Sequence, residues 1–274
     1  MTTTALPLDS IEAIKELLQN PKLGLQRLDD TSPAPLAAAA SRLRLAPNKY
    51  PKNAAADDAF NPLLPRLGIH EWFYESPGIC DANDRRHWFA PLTTLAHLAA
   101  AARQASKRPL IFWIGSVCHP SIYLLESVLP GGIWQSCCIL ISPKNAGDRF
   151  WAIEHTLQST AAAAVVADVS QCSATQSRRL QLAAEAGKGI GLLARPPWEQ
   201  HDISNAATRW MVSPTPATSN HPTWQLKLLR SRGPLPVPLH HVSTWRLMWH
   251  WDNTHDRGQL QITTHAAAPS PPDD

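Results

Sequence analysis

Long apolar runs are missing from this chain. No stretch approaches the ~18–20 uninterrupted apolar residues that a membrane-crossing helix needs. The amino terminus, MTTTALPLDSIEAIKELL, has no basic region followed by an apolar stretch, so it does not read as a signal peptide. Cysteine is scarce, and the five present (Cys80, Cys118, Cys137, Cys138, Cys172) form an odd set without metal-type spacing. Reduced thiols in a cytoplasmic protein, with no bound metal, are the simplest expectation. Charge is sparse too: 17% of 274 residues, with a net +3 that does not mark a nucleic-acid binder. Its distribution says more. Residues 178–257 hold ten Lys/Arg against five Asp/Glu, whereas residues 1–177 balance. The carboxyl-terminal third is therefore mildly basic, either an ordinary solvated face or a surface for acidic partners.

What is present is a hydrophobic content of 44%, enough for a sizeable core in one large domain with appendages. Residues 1–60 mix alanine, proline and polar residues and read as an arm. It carries a short amphipathic helix over 9–19, and a second fits 36–45. From Leu63 the texture alternates between strands and helices. GIHEWFY (68–74), PLIFWIG (109–115), CCILIS (137–142), AAVVADV (163–169) and GIGLLA (189–194) are apolar on both faces, as covered parallel strands should be. Helices are expected over 92–104, started by Pro91; over 147–159, capped by Asp148; and over 174–186, closed by Gly187. Phe150, Ile153 and Leu157 mark the inner face of the second. Leu180, Leu182, Ala183 and Ala186 do so for the third. Trp113, Trp151 and Trp210 are expected in the core.

This succession predicts an α/β fold with a doubly wound, mainly parallel sheet. TRWMVS (208–213), TWQLKLLRS (223–231), TWRLMWHW (244–251) and GQLQITT (258–264) then follow at short spacing, predicting antiparallel strands that extend the core. The domain expected from these elements spans 61–264, and residues 265–274 read as a disordered tail.

A strand passing through a loop into a helix, as at 68–104, is where nucleotide-binding α/β proteins cradle phosphate. Such a loop needs glycines, a lysine for the outer phosphates and a hydroxyl for Mg²⁺. The connection ESPGICDANDRRHWFAP has one glycine and no Gly-Lys-Ser/Thr. Arg85 and Arg86 could clamp an anion beside the following helix. Alternatively they are solvated, and His87-Trp88-Phe89 fold down to fill the space. Cys118-His119 follows a strand end, but neighbours on an extended segment point apart, which speaks against a nucleophile pair.

The run SRRLQLAAEAGKGIGLLAR (177–195) resembles the ImuA family of bacterial translesion-synthesis accessory proteins, which are RecA-like in fold. LGIHEWF (67–73), DRFWAIEHTLQSTAAAAVVAD (148–168), AATRWMV (206–212) and WQLKLLRSRG (224–233) support it in order. The resemblance covers about residues 60–262. It implies a RecA-like domain with a degenerate phosphate loop. Asp168 would stand at a vestigial Walker B position, and AATRWMV would begin the antiparallel extension. SVCHP would lie where related ATPases carry a catalytic glutamate. The segments 170–175 and 196–204, which would correspond to DNA-holding loops, are short.

The implied role is that of a non-enzymatic subunit of a DNA-damage-inducible mutasome, with no cofactor. Its partners would be an ImuB-type polymerase-like protein, an error-prone C-family DNA polymerase and RecA itself. Two other classes fit less well: an ATPase with a non-standard loop, and a SulA-type cell-division inhibitor, which lacks the extension 208–264. Candidates for contact with a partner or DNA are Arg178, Arg179, Arg195 and Trp198, beside Arg85 and Arg86. Arg178 and Arg179 read equally as a partner surface or as a structural pair with Glu185 or Asp168. Trp198 reads as a stacking residue or as packing on the sheet edge.

Overall fold

Each apolar run of the sequence becomes a strand of one sheet. A computed structural model describes residues 67–76, 87–216, 221–232 and 244–264. The strands are β1 (Gly68–Tyr74), β2 (Leu110–Ile114), β3 (Cys138–Ile141), β4 (Ala162–Asp168), β5 (Ile190–Arg195), β6 (Thr208–Pro214), β7 (Thr223–Ser231), β8 (Thr244–Asp252) and β9 (Arg257–Thr264). Every one falls within a residue of its expected span. They form a single sheet of order β3-β2-β4-β5-β1-β6-β7-β8-β9. The expected arm, with its helices over 9–19 and 36–45, and the expected tail lie outside the described residues. No helix among the described residues is long and apolar enough to cross a membrane.

One expectation about direction changes. β6 pairs with β1 in parallel, with Trp72 opposite Trp210, and the antiparallel pairing begins only at β7. The reason is the segment 196–207. It leaves β5 beside the end of β1 and returns to its start, where the amide of Ala207 donates to the carbonyl of Ile69. A chain carried back in this way must emerge parallel to the strand it joins.

The helices are α1 (Leu92–Ala105), α2 (Ile122–Val128), α3 (Ile133–Cys137), α4 (Ala146–Gln158) and α5 (Ala174–Gly187). α2 and α3 escape the sequence reading because they are too short to show a period and are bracketed by Pro120, Pro130, Gly131 and Gly132. Local caps hold them. Ser121 accepts the amide of Leu124, and the Glu126 carboxylate takes the amide of Gly131 at 2.6 Å and Trp134 Nε1 at 2.7 Å. Asn145, not Asp148, caps α4. Its side chain accepts the Asp148 amide, so Asp148 is the third residue of the first turn.

The sheet has a core on each face. On one, Trp72 stacks on Trp210 at 5.7 Å between ring centroids, and Trp245 meets Trp210 edge-on at 5.6 Å. Leu226, Leu247 and Leu260 join them beneath α1. These rings, on β1, β6 and β8, link the parallel half to the antiparallel half across β7, and truncating one such buried tryptophan costs about 3–5 kcal/mol. The opposite core packs Phe112, Val165 and Leu193 against Ile153 and Leu157 of α4 and Leu180 of α5. Phe150 is partly buried there. Trp113 is buried as expected, but Trp151 is 36% exposed and stacks on His155, because it points away from the Ile153 side of α4. Leu182 and Ala186 likewise face solvent, one turn apart on the outer side of α5.

Gly187 does not act as the left-handed cap. It is the last residue of α5, and Lys188 takes the left-handed position with φ 49°. Glycine stands at 187 because a Cβ there would lie 2.0 Å from the Leu157 carbonyl oxygen, at the end of α4. Two substitutions separate these roles. Gly187→Ala is expected to cost about 3 kcal/mol or more, since backbone cannot yield. Lys188→Gly is expected to stabilise by about 1 kcal/mol through relief of the left-handed backbone. Urea unfolding of both variants checks the opposite signs.

Candidate functional site

The parallel strands end along one edge of the sheet, and Asp168 closes β4 there, only 1% exposed. Its Oδ1 accepts the Ser116 amide at 2.7 Å and the Cys118 thiol at 3.4 Å. Its Oδ2 pairs with Arg149 Nη1 at 2.8 Å, a side chain from the start of α4. Gly115 makes this possible. Its φ is +126°, and a Cβ there would stand 1.4 Å from Asp168 Oδ1. The carboxylate is folded back against the end of β2, with both oxygens holding protein donors.

Cys118 is tied down with it. Burial first, then the charge of Asp168, pushes its thiol well above the ordinary range, and the thiol also donates to the Ile114 carbonyl at 3.0 Å. A thiol kept protonated is a poor nucleophile. His119 meets the Ile141 carbonyl instead, so the two side chains do part as the extended backbone predicts.

Across the edge, Pro91 starts α1 without a side-chain cap. Trp88, Ala90 and Leu92 pack on the tryptophan core, while His87 and Phe89 point outward. The expected inward fold of His87-Trp88-Phe89 therefore holds for Trp88 alone, because successive residues of an extended segment alternate. Arg85 and Arg86 lie outside the described residues.

Arg195 departs furthest from its expected role at a surface. It is 0% exposed and sits at the centre of a buried polar network. Nη1 pairs with Glu71 Oε1 at 2.9 Å, and Nη2 with Glu199 Oε2 at 2.6 Å. Burial opposes the Arg195 charge, but Glu71 and Glu199 outweigh it and hold the guanidinium above its ordinary value. Glu71 Oε2 takes Arg209 Nε at 2.7 Å, and Oε1 also accepts the Ser204 hydroxyl at 2.7 Å. Arg209 lies over the Phe73 ring at 5.0 Å and donates to the carbonyls of Asp202 and Glu199. Trp198, in the 3-10 turn Pro197–Glu199, is half-buried beside it. Cys172 borders the network, and burial, with the nearby carboxylates, pushes its thiol up to about 11.

Sequence reasoning missed Glu71, Arg149, Glu199 and Arg209. The signal was there for two of them: Glu71 and Arg209 interrupt strands otherwise apolar on both faces, and a charge buried in such a strand needs a partner.

α5 divides the SRRLQLAAEA run into two sides. Inward, Ser177 receives the Asn205 amide, Leu180 enters the core, and Gln181 Oε1 accepts the Ile69 amide at the start of β1. Outward, Arg178, Arg179, Leu182, Glu185 and Ala186 are exposed. Arg179 pairs with Glu154 of α4, neither with Glu185 nor with Asp168. Arg178 has no ion-pair partner among the described residues.

These burials predict unequal costs. Glu71→Gln strips two buried arginines of their shared carboxylate and is expected to destabilise by about 3–5 kcal/mol. Arg179→Ala breaks a pair whose arginine is 63% exposed and should cost no more than about 1 kcal/mol. Equal midpoints in urea unfolding would show that the network does not hold the fold. A search of protein-family models and of characterised proteins finds no match to this chain.

Proposed function

We propose that this protein is a catalytically silent, RecA-like accessory subunit of a translesion-synthesis mutasome, of the kind its resemblance to the ImuA family implies. The observation that carries the silent part is the state of Asp168. A Walker B carboxylate serves by reaching a phosphate-bound metal ion. Here the residue at that position spends both oxygens on Ser116, Cys118 and Arg149. Arg149 supplies the positive charge that a bound cation would otherwise provide. Nothing acidic replaces the missing glutamate in SVCHP, and Trp88 packs inward ahead of α1.

The accessory part draws on α5. The fold accounts for the inward half of SRRLQLAAEA, whereas nothing in the fold requires Arg178 or Leu182 to be where they are. An arginine and a leucine one turn apart on an exposed helix face are suited to a protein partner. The polymerase-like protein, the C-family polymerase and RecA are the partners that this reading names. The element order, with β1 leading into α1 and Asp168 closing β4, supports the RecA-like assignment.

Two measurements test this function. Equilibrium dialysis is expected to find no Mg-ATP bound to the protein; affinity abolished by Asp168→Ala would overturn the silent reading. Arg178→Glu combined with Arg179→Glu is expected to reduce co-purification with the polymerase-like protein at least tenfold while the melting temperature stays within a few degrees. A large loss of melting temperature with binding intact would make those arginines structural.

A further inference from the structure

Beneath the return segment 196–207, away from the Asp168 edge and from the outer face of α5, lies a groove of about 410 Å³. Its basic lining comes from Arg209, Arg230 and Arg232, with Gln200 and His201 at the rim. Arg209 is neutralised by Glu71, but Arg230 and Arg232 have no carboxylate partner among the described residues. Both guanidiniums are oriented by one atom, the Ser204 carbonyl oxygen, which accepts Nη2 of each. Arg232 also donates to Asn205 Oδ1 at 3.0 Å, and Arg230 Nε is buried without a partner. Burial, then the charges of Arg232 and Arg209, lowers the Arg230 pKa. The single carboxylate of the lining, Asp202, leans toward Arg195 at 3.5 Å.

The groove opens onto a longer basic stripe. Register pairs Arg209 with Arg230, Met211 with Lys227, and Gln225 with Arg246, so these side chains share one face of the sheet. Lys227 and Arg246 are exposed and have no ion-pair partner among the described residues. The helices that touch this half, α1 and α2, pack against β9 on the opposite face, with the tryptophans. From Arg232 to Lys227 the strand rise spans roughly 17 Å, with Arg246 further on across the neighbouring strand.

We propose that this groove and stripe bind the phosphate groups of a nucleic-acid backbone. Two converging guanidinium forks suit a phosphate's oxygens. A row of unpaired cations at strand spacing suits a ligand whose charge repeats, more than a single small anion. An acidic protein fits less well, since no aromatic anchor lines the groove and its apolar members are Leu229 and Ile203. Contacts of this kind position a strand without reading its bases. The site does not depend on the accessory-subunit reading.

Fluorescence anisotropy with the full chain and a labelled oligothymidylate tests it. The unmodified protein is expected to bind with an affinity that falls as salt rises. Arg230→Gln with Arg232→Gln should weaken binding by about tenfold or more and flatten the log K against log salt slope by about 1.4. Because Arg230 also holds the return segment, a second variant, Lys227→Gln with Arg246→Gln, keeps the test independent of folding. It should weaken binding several-fold with the melting temperature unchanged. Absence of salt-sensitive binding, or an affinity unchanged from that of the unmodified protein in both variants, overturns the proposal. So does an inorganic phosphate site seen by NMR without oligonucleotide binding, or polyglutamate binding more tightly than the oligonucleotide.

Discussion

The carboxylate of Glu71, buried in the middle of β1, is the constraint around which the sheet is organised. β1 lies between β5 and β6, and Glu71 reaches a guanidinium from each, Arg195 on one side and Arg209 on the other. Burying one carboxylate is costly, and burying two arginines is costlier still unless every charge is paired and hydrogen-bonded. Glu199 supplies the second negative charge, and the carbonyls of Asp202 and Glu199 accept one proton each from Nη1 and Nη2 of Arg209. All of these acceptors belong to the segment 196–207. That segment must therefore lie flat across the sheet, and its path back to the start of β1 is what makes β6 parallel.

The same economy of charge describes the edge at Asp168. A carboxylate there is compatible with a dry environment only if cations or amides surround it, and Arg149, Ser116 and Cys118 do so at short range. Gly115 is the sign in the backbone that this arrangement is built in, since no side chain fits beside Asp168. Two clusters of mixed charge are thus turned inward and neutralised, with Asp168 ending β4 beside the strand that Arg195 ends.

Several cations are left without an ion pair among the described residues. Arg178 on α5, and Arg230, Arg232, Lys227 and Arg246 on one face of β6–β8, carry the excess already visible as the basic carboxyl-terminal third. Surface cations that hold no carboxylate contribute little to folding. They lie on the exposed face of α5 and on a face of β6–β8 that no described helix covers.

Strand positions and the main helices were legible in the sequence, because apolar runs of strand length and helical periodicity are local properties. GIHEWFY and TWQLKLLRS emerge with the very ends their composition predicts. The helices of α2 and α3 were not, since one or two turns carry no period. Other features depend on residues distant in the chain: the parallel direction of β6, the burial of Arg195, the exposure of Leu182 and Trp151, and the reason for glycine at 187. Arg195 meets Glu71 across 124 positions, and Gly187 meets Leu157 from another helix. The sequence by itself determined which segments are strands and helices and that charge gathers late in the chain. Only the tertiary structure decided which charges cancel inside and which remain to act outside, because pairing is a matter of distance in space and not of order along the chain.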